Sequence, residues 1–177
     1  TADTKGDELL YLRERIEADG ASVLIMDVGV LAPADFTPEI TNQQVAAAGG
    51  SSLDELRRDG QESQAIQVMA GGALQLAQTL FAENKCDGLL ALGGSMGTDL
   101  ALEVADGLPL GVPKVVLSTV AHSHLIAPQR VSPDLIMILW AGGLYGLNAV
   151  CRSALSQAAG AVVGACRLAE PVSRDKP

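Results

Sequence analysis

The stretch "LLALGGSMGTDLAL", Leu89 to Leu102, decides how this chain is read. An apolar run stops at Gly93-Gly94, and a segment with helical periodicity follows. That is the pattern of a strand, a tight turn and a helix. Gly93-Gly94-Ser95-Met96-Gly97 fits G-x-S-x-G, the turn that presents the nucleophile of serine hydrolases. It equally fits a glycine-rich strand-to-helix turn that holds a phosphate on backbone N–H groups. Ser95 is a nucleophile in one reading and a hydrogen-bond donor in the other.

Similar units flank this stretch. "DTKGDELLYLRERIEADG" (3–20) reads as a helix, with Thr4 as a candidate cap, Leu9, Leu12 and Ile16 on one face, an Arg13–Glu17 pair, and Gly20 as its stop. "ASVLIMDVG" (21–29) reads as a buried strand. Residues 30–60 hold Pro33, Pro38 and Gly49-Gly50, with one helical turn expected in "TNQQVAAA"; so long a connection is usually functional or mobile. Residues 60–85 form a long amphipathic helix, with Ala65, Met69, Gly72, Leu76 and Leu80 available to one face. Gly71-Gly72 either weaken that helix or mark close packing. "CDGLLALGG", "PKVVLSTV" and "PDLIMILW" are three more strands. A helix is expected from about Thr98 to Ala105, and a last one over 146–169, with Ala154, Ala158 and Ala161 on a face that allows close backbone approach.

Apolar runs alternating with helices indicate an α/β fold, a doubly wound and mostly parallel sheet of Rossmann-like or flavodoxin-like type. The chain opens on a turn and a helix, so a first strand is expected to be missing from it. The domain is expected over 1–169, with 170–177 a linker or cut end.

Composition narrows the function. The 177 residues carry a net charge of −9, which argues against nucleic acid as a direct partner, since a phosphate backbone needs a basic footprint. The chain is 48% apolar yet 3% aromatic, with 19 glycines, as suits helices packed closely on a buried sheet. The uninterrupted apolar runs are far short of a membrane span, and no signal-like segment opens the chain, so no membrane partner is expected. Cys86, Cys151 and Cys166 form no CxxC and read as small buried hydrophobes. Together these features favour the cytoplasm.

In an open parallel sheet, ligands sit at the carboxyl ends of the strands. The polar residues expected there are Thr1, Asp3, Thr4 and Lys5; Asp27; Gly93, Gly94, Ser95, Gly97 and Thr98; Ser118, Thr119, His122 and Ser123; and Gly142, Gly143 and Asn148. Glycines and small hydroxyls suit phosphate oxygens, because the backbone can approach closely and Ser or Thr donates without bulk. Lys5 is a candidate phosphate partner, whereas Lys114 opens a strand and belongs to the opposite sheet edge. The turn is no Walker A loop and lacks G-x-G-x-x-G, so Asp27 has no dinucleotide fingerprint to serve. A Ser95 hydrolase would draw on His122 or His124, both after the very next strand, with Asp99 and Asp106 inside the helix that the turn starts. No well-placed triad emerges. A histidine pair without a third ligand is a weak metal site, and no metal-ligating residues are assigned.

Five places, "TADTKGDEL", "MDVG", "LGGSMGT", "LPLGVPKVVLSTVA" and "GLNAV…LSQAAGAVVG", occur in an order that resembles the ATP-binding domain family of the tomato mosaic virus resistance protein and its uncharacterised bacterial and fungal relatives. The resemblance covers nearly the whole chain. It implies ATP or a similar nucleotide, with Mg²⁺ beside the phosphates and Asp3 as the nearby carboxylate. The positions carried over are Thr1, Asp3, Thr4, Lys5, Gly93, Gly94, Ser95, Gly97, Thr98, Ser118 and Thr119. It also implies a further, C-terminal domain and a first strand leading into the "TADTKG" turn. The chain departs from the family pattern at Met96, at His122-Ser123 and at Gly143. The expected function is therefore a nucleotide-binding domain; a serine hydrolase or a dimerising module is the alternative, and a homodimer is compatible with each.

Overall fold

The computed structural model describes residues 2–142 and 146–170. Its core is a parallel sheet of β1 (Leu89–Gly93), β2 (Lys114–Ser118) and β3 (Leu135–Leu139), in that spatial order. The register sets Leu89 beside Lys114 and Lys114 beside Leu135, so the three strands begin and end level. All five residues of β2 are buried, as a central parallel strand requires.

Helices cover both faces. Helix α1 (Ala2–Ala18) and α6 (Ala149–Leu168) pack on one, where Leu12, Ile16, Val115, Leu117, Trp140, Leu155, Ala158 and Val162 form a cluster. On the other lie α2 (Asn42–Ala48), α3 (Leu53–Asp59), α4 (Glu62–Ala82) and α5 (Ser95–Asp106), gathered around Val45, Leu53, Leu56, Met69, Phe81 and Val104. This is the expected doubly wound α/β architecture. By length and composition alone, α4 and α6 could each cross a membrane. Each buries one face in a core cluster, which accounts for that composition.

Glycine explains how closely some helices meet. A Cβ on Gly72 would lie 2.0 Å from the Val45 carbonyl oxygen, and one on Gly49 2.2 Å from that of Val68. So α2 and α4 touch through their backbones, and Gly72 marks close packing rather than a weak helix. Gly20 ends the first helix region with φ +82°, a left-handed conformation that favours glycine.

Four expectations are corrected. Residues 21–29 form no strand: their one ladder contact is an isolated bridge between Met26 and Ile40, with Asp27 N–H donating to Ile40 and Ile40 N–H to Ile25. Among the described residues β1 is an outer strand of the sheet, and no strand lies beside this extended segment to complete a ladder. The expected first strand lies outside the described residues. Residues 30–60 hold two helices rather than one turn. Each starts on a reciprocal capping box, Thr41 with Gln44 and Ser52 with Glu55. Helix α5 begins at Ser95 rather than Thr98. Finally, Arg13 pairs with Glu39 rather than Glu17, because Glu39 also accepts the Ile25 N–H and stands fixed within reach.

At the amino end of the sheet, the fully buried Lys114 donates to both oxygens of Asp134, at 2.9 and 3.1 Å. Lys114 is thus structural, as expected. Burial pushes the Asp134 carboxyl up, but hydrogen bonds from Ser132, Lys114 and Gly111 outweigh it and hold the group below its ordinary value. A carboxylate with a depressed folded pKa stabilises the fold above its unfolded pKa, and that contribution is lost as pH falls through the folded value. Cys166 is half-buried rather than fully buried as expected, and burial raises its thiol, with Asp87 adding to the effect.

Asp134→Ala strands a buried ammonium and is expected to cost about 3–5 kcal/mol in urea denaturation at neutral pH. Its stability should also fall less on acidification below about pH 4 than that of the parent chain. Equal denaturation midpoints would exclude the buried pair.

Candidate functional site

The glycine turn sits where β1 ends and α5 begins. A Cβ on Gly93 would come within 2.7 Å of the Gly97 backbone, so only glycine lets the strand end press against the helix start. Gly94 is the residue before the helix, in extended conformation, and no side chain caps the first turn. Among the described residues no side chain accepts from the first-turn N–H groups, and Ser95 and Met96 beside them are exposed. A Cβ on Gly94 would meet only Thr119 Oγ1, at 3.8 Å, so this glycine leaves room above the turn.

Beneath the turn is a closed pair of hydroxyls. Thr98 Oγ1 and Ser118 Oγ lie 2.7 Å apart, both buried, and Ser118 Oγ also accepts the Val120 N–H at 3.0 Å. Thr119 N–H donates to the Gly93 carbonyl at 3.1 Å. The structure thus brings Gly93, Gly94, Ser95, Gly97, Thr98, Ser118 and Thr119 together. Thr98 and Ser118 face each other, and they tie the turn to the end of β2.

The start of α1 forms a second group at the same end of the sheet. The Ala2 N–H donates to buried Asp27 at 3.0 Å, and the same carboxylate oxygen accepts the Gly29 N–H at 2.8 Å. Asp27 is therefore an anchor. Lys5 breaks the helical conformation of α1, pairs with Glu8, and sits 5.1 Å above the Trp140 ring. Asp3 carries a buried Oδ1 with no hydrogen-bond partner among the described residues. Asp3, Thr4 and Lys5 lie on α1 beside Asp27 and Trp140. Thr1 and Gly143 are outside the described residues.

His122 and His124 are exposed, and among the described hydrogen bonds neither meets Ser95. His122 has φ +62°, an uncommon backbone state for a side-chain-bearing residue. It belongs to the long connection from β2 to β3, which contains no α-helix and only a 3₁₀ turn at Pro128–Arg130. This connection folds back over α5. With α4 and α5 it borders a half-open cavity of about 290 Å³ lined by Ile66, Ser95, Met96, Asp99, Leu102, Val120, Leu125, Ile126 and Arg130.

A glycine-lined turn over a buried hydroxyl pair, at the carboxyl end of a parallel sheet, is the shared core of this site. Residues 1–171 match the model of an uncharacterised protein family, UPF0261, N-terminal domain.

The chain belongs to the UPF0261 family.

A UPF0261 protein of Brucella suis is 51% identical over 177 residues, covering the whole chain and 42% of the relative. One from Clostridium tetani is 35% identical over 93% of this chain and 40% of its own length. The ToMV susceptible protein tm-1(GCR26) of Solanum lycopersicum is 30% identical over 93% of this chain and 24% of its own length. The resemblance read from the five motifs thus leads to the right family. The chain spans about two-fifths of the bacterial UPF0261 relatives it matches, so a larger protein with a further domain is plausible for them.

Sequence reading missed Arg130, and weighed Asp99 only as a hydrolase acid rather than as the partner of Arg130. The available signal was a lone basic residue between prolines, "APQRVSP", in the connection from β2 to β3. Ser118→Ala should cost about 1–3 kcal/mol, because it leaves the buried Thr98 hydroxyl and the Val120 N–H without their partner. Adding Thr98→Val should recover part of that loss in a double-mutant cycle of denaturation measurements. Strict additivity would mean that the two hydroxyls do not interact.

Proposed function

We propose that this domain binds a nucleotide, ATP being the first candidate, with its phosphates over the Gly93–Thr98 turn. The observation that carries the reading is the start of α5 at the carboxyl end of a parallel sheet, behind two adjacent glycines and without a side-chain cap among the described residues. Backbone N–H groups so placed suit an anion. Gly94 supports the approach of a phosphate, Ser95 and Thr119 supply hydroxyls at the surface, and Thr98 with Ser118 hold the turn's shape. Asp3, with its buried unpartnered oxygen, fits a cation beside the phosphates, and Mg²⁺ bound there would neutralise their charge. Thr1, Thr4 and Lys5 complete the ligand set implied by the family resemblance. Whether a phosphate is transferred belongs to the whole protein, including any C-terminal domain.

A second inference concerns partners. β3 is an outer strand, and beside it Ile136, Leu139 and Val150 are 42%, 60% and 65% exposed. Leu139 and Val150 line an open hollow of about 430 Å³ with Ile138 and Ala149. An apolar sheet edge of this kind supports a homodimer across β3 and α6.

ATP with Mg²⁺ should raise the melting temperature, and Gly94→Val should abolish the rise while leaving the unliganded melting temperature nearly unchanged, since the added side chain meets little. No shift at millimolar ATP would sink the nucleotide reading. Labelling of Ser95 by a fluorophosphonate would favour a hydrolase instead. For the dimer, Leu139→Lys should convert a dimeric mass in sedimentation equilibrium to a monomeric one; a parent protein that is already monomeric at high concentration would remove the claim.

A further inference from the structure

The cavity beside Ser95 has a feature that phosphate binding by the turn does not use. Its walls are mainly apolar, and its charged groups are Asp99 and Arg130. These two are paired: Arg130 Nη1 contacts Asp99 Oδ1, and Arg130 Nη2 donates to the Asp99 carbonyl at 3.0 Å. Both side chains are partly open to solvent, at 39% for Arg130 and 54% for Asp99. Such an exposed pair is held weakly.

Asp99 sits four residues after Ser95, one turn along α5 from the proposed anion site. Arg130 reaches the same place from the β2–β3 connection. A guanidinium offers a planar fork that matches a phosphate as well as a carboxylate. Lys5, the cation named from the sequence, is by contrast held by Glu8 and Trp140 on the α1 side.

We propose that Arg130 is an anion clamp for the nucleotide phosphates, with Asp99 as a resident competitor that holds the guanidinium until ligand displaces it. The proposal rests on the nucleotide reading above. On binding, Arg130 exchanges the Asp99 carboxylate for a phosphate oxygen, and the 3₁₀ turn at Pro128–Arg130 closes the connection over the ligand. No covalent step is involved. The Asp99 carboxylate both occupies the clamp and repels the anion, so the empty site is kept neutral in an acidic protein.

The two partners then have opposite effects on affinity, which a merely structural ion pair cannot produce. Titration of the full-length protein with ATP and Mg²⁺, followed by calorimetry, tests this. Arg130→Lys should weaken binding about tenfold. Asp99→Asn should tighten it, by up to about fivefold. The gain from Asp99→Asn should shrink in the Arg130→Lys background. Circular dichroism and melting temperature confirm that each variant is folded. Equal losses in both single variants would make the pair structural and overturn the clamp. Unchanged affinity in Arg130→Lys, with normal binding by the parent, would overturn the clamp and leave the nucleotide reading standing. A full Asp99→Asn gain in the Arg130→Lys background would reduce Asp99 to simple charge repulsion, again overturning it. If the parent protein binds no ATP, the nucleotide reading falls and the clamp with it.

Discussion

The structure depends on the complete burial of β2, a strand with a charged residue at one end and a hydroxyl at the other. Neither polar group can be left without a partner in a region closed to water. At the amino end, Lys114 is met by Asp134, which Ser132 and Gly111 hold in turn. At the carboxyl end, Ser118 is met by Thr98 and the Val120 N–H. The first solution locks β2 to the start of β3. The second draws the start of α5 down onto the end of β2 and fixes the direction in which the next loop leaves. The site's geometry follows from the second. With Thr98 held inward, the preceding Ser95 and Met96 face solvent.

The same division separates rigid from adaptable parts. The glycine turn is braced by direct backbone contact at Gly93 and by hydroxyls beneath it. The β2–β3 connection above it has one 3₁₀ turn, a left-handed His122 and an exposed ion pair to α5. A firm floor and a lightly held wall are the arrangement that the proposed ligand site would need.

Much of the fold was legible because its signals are local. The apolar runs at 89–93, 114–118 and 135–139, the long helices at 62–82 and 149–168 and the stop at Gly20 all follow from periodicity or from backbone chemistry, whereas Gly72 stood open between a weak helix and close packing until the fold decided it. Helix α3 was not read from the sequence, although the capping box of Ser52 and Glu55 is a local signal for its start. Residues 21–29 have the composition of a strand without its partners. A strand is a relation between two segments, so propensity alone cannot establish one. Arg13 illustrates the same limit: its spacing to Glu17 is right for a helix surface, yet the fold offers Glu39.

For the candidate site, the sequence by itself determined the glycine turn, its place between strand and helix, and the hydroxyls that surround it, because a turn without side chains leaves a mark within a few residues. It could not determine which hydroxyls face outward. Thr98 and Ser118 read like Ser95 and Thr119 in one dimension, and only packing against β2 turns the first pair inward to satisfy each other. Nor could it join Asp99 to Arg130, which lie 31 residues apart in the chain. Their meeting depends on how the β2–β3 connection crosses α5, a matter of tertiary packing that no local pattern encodes.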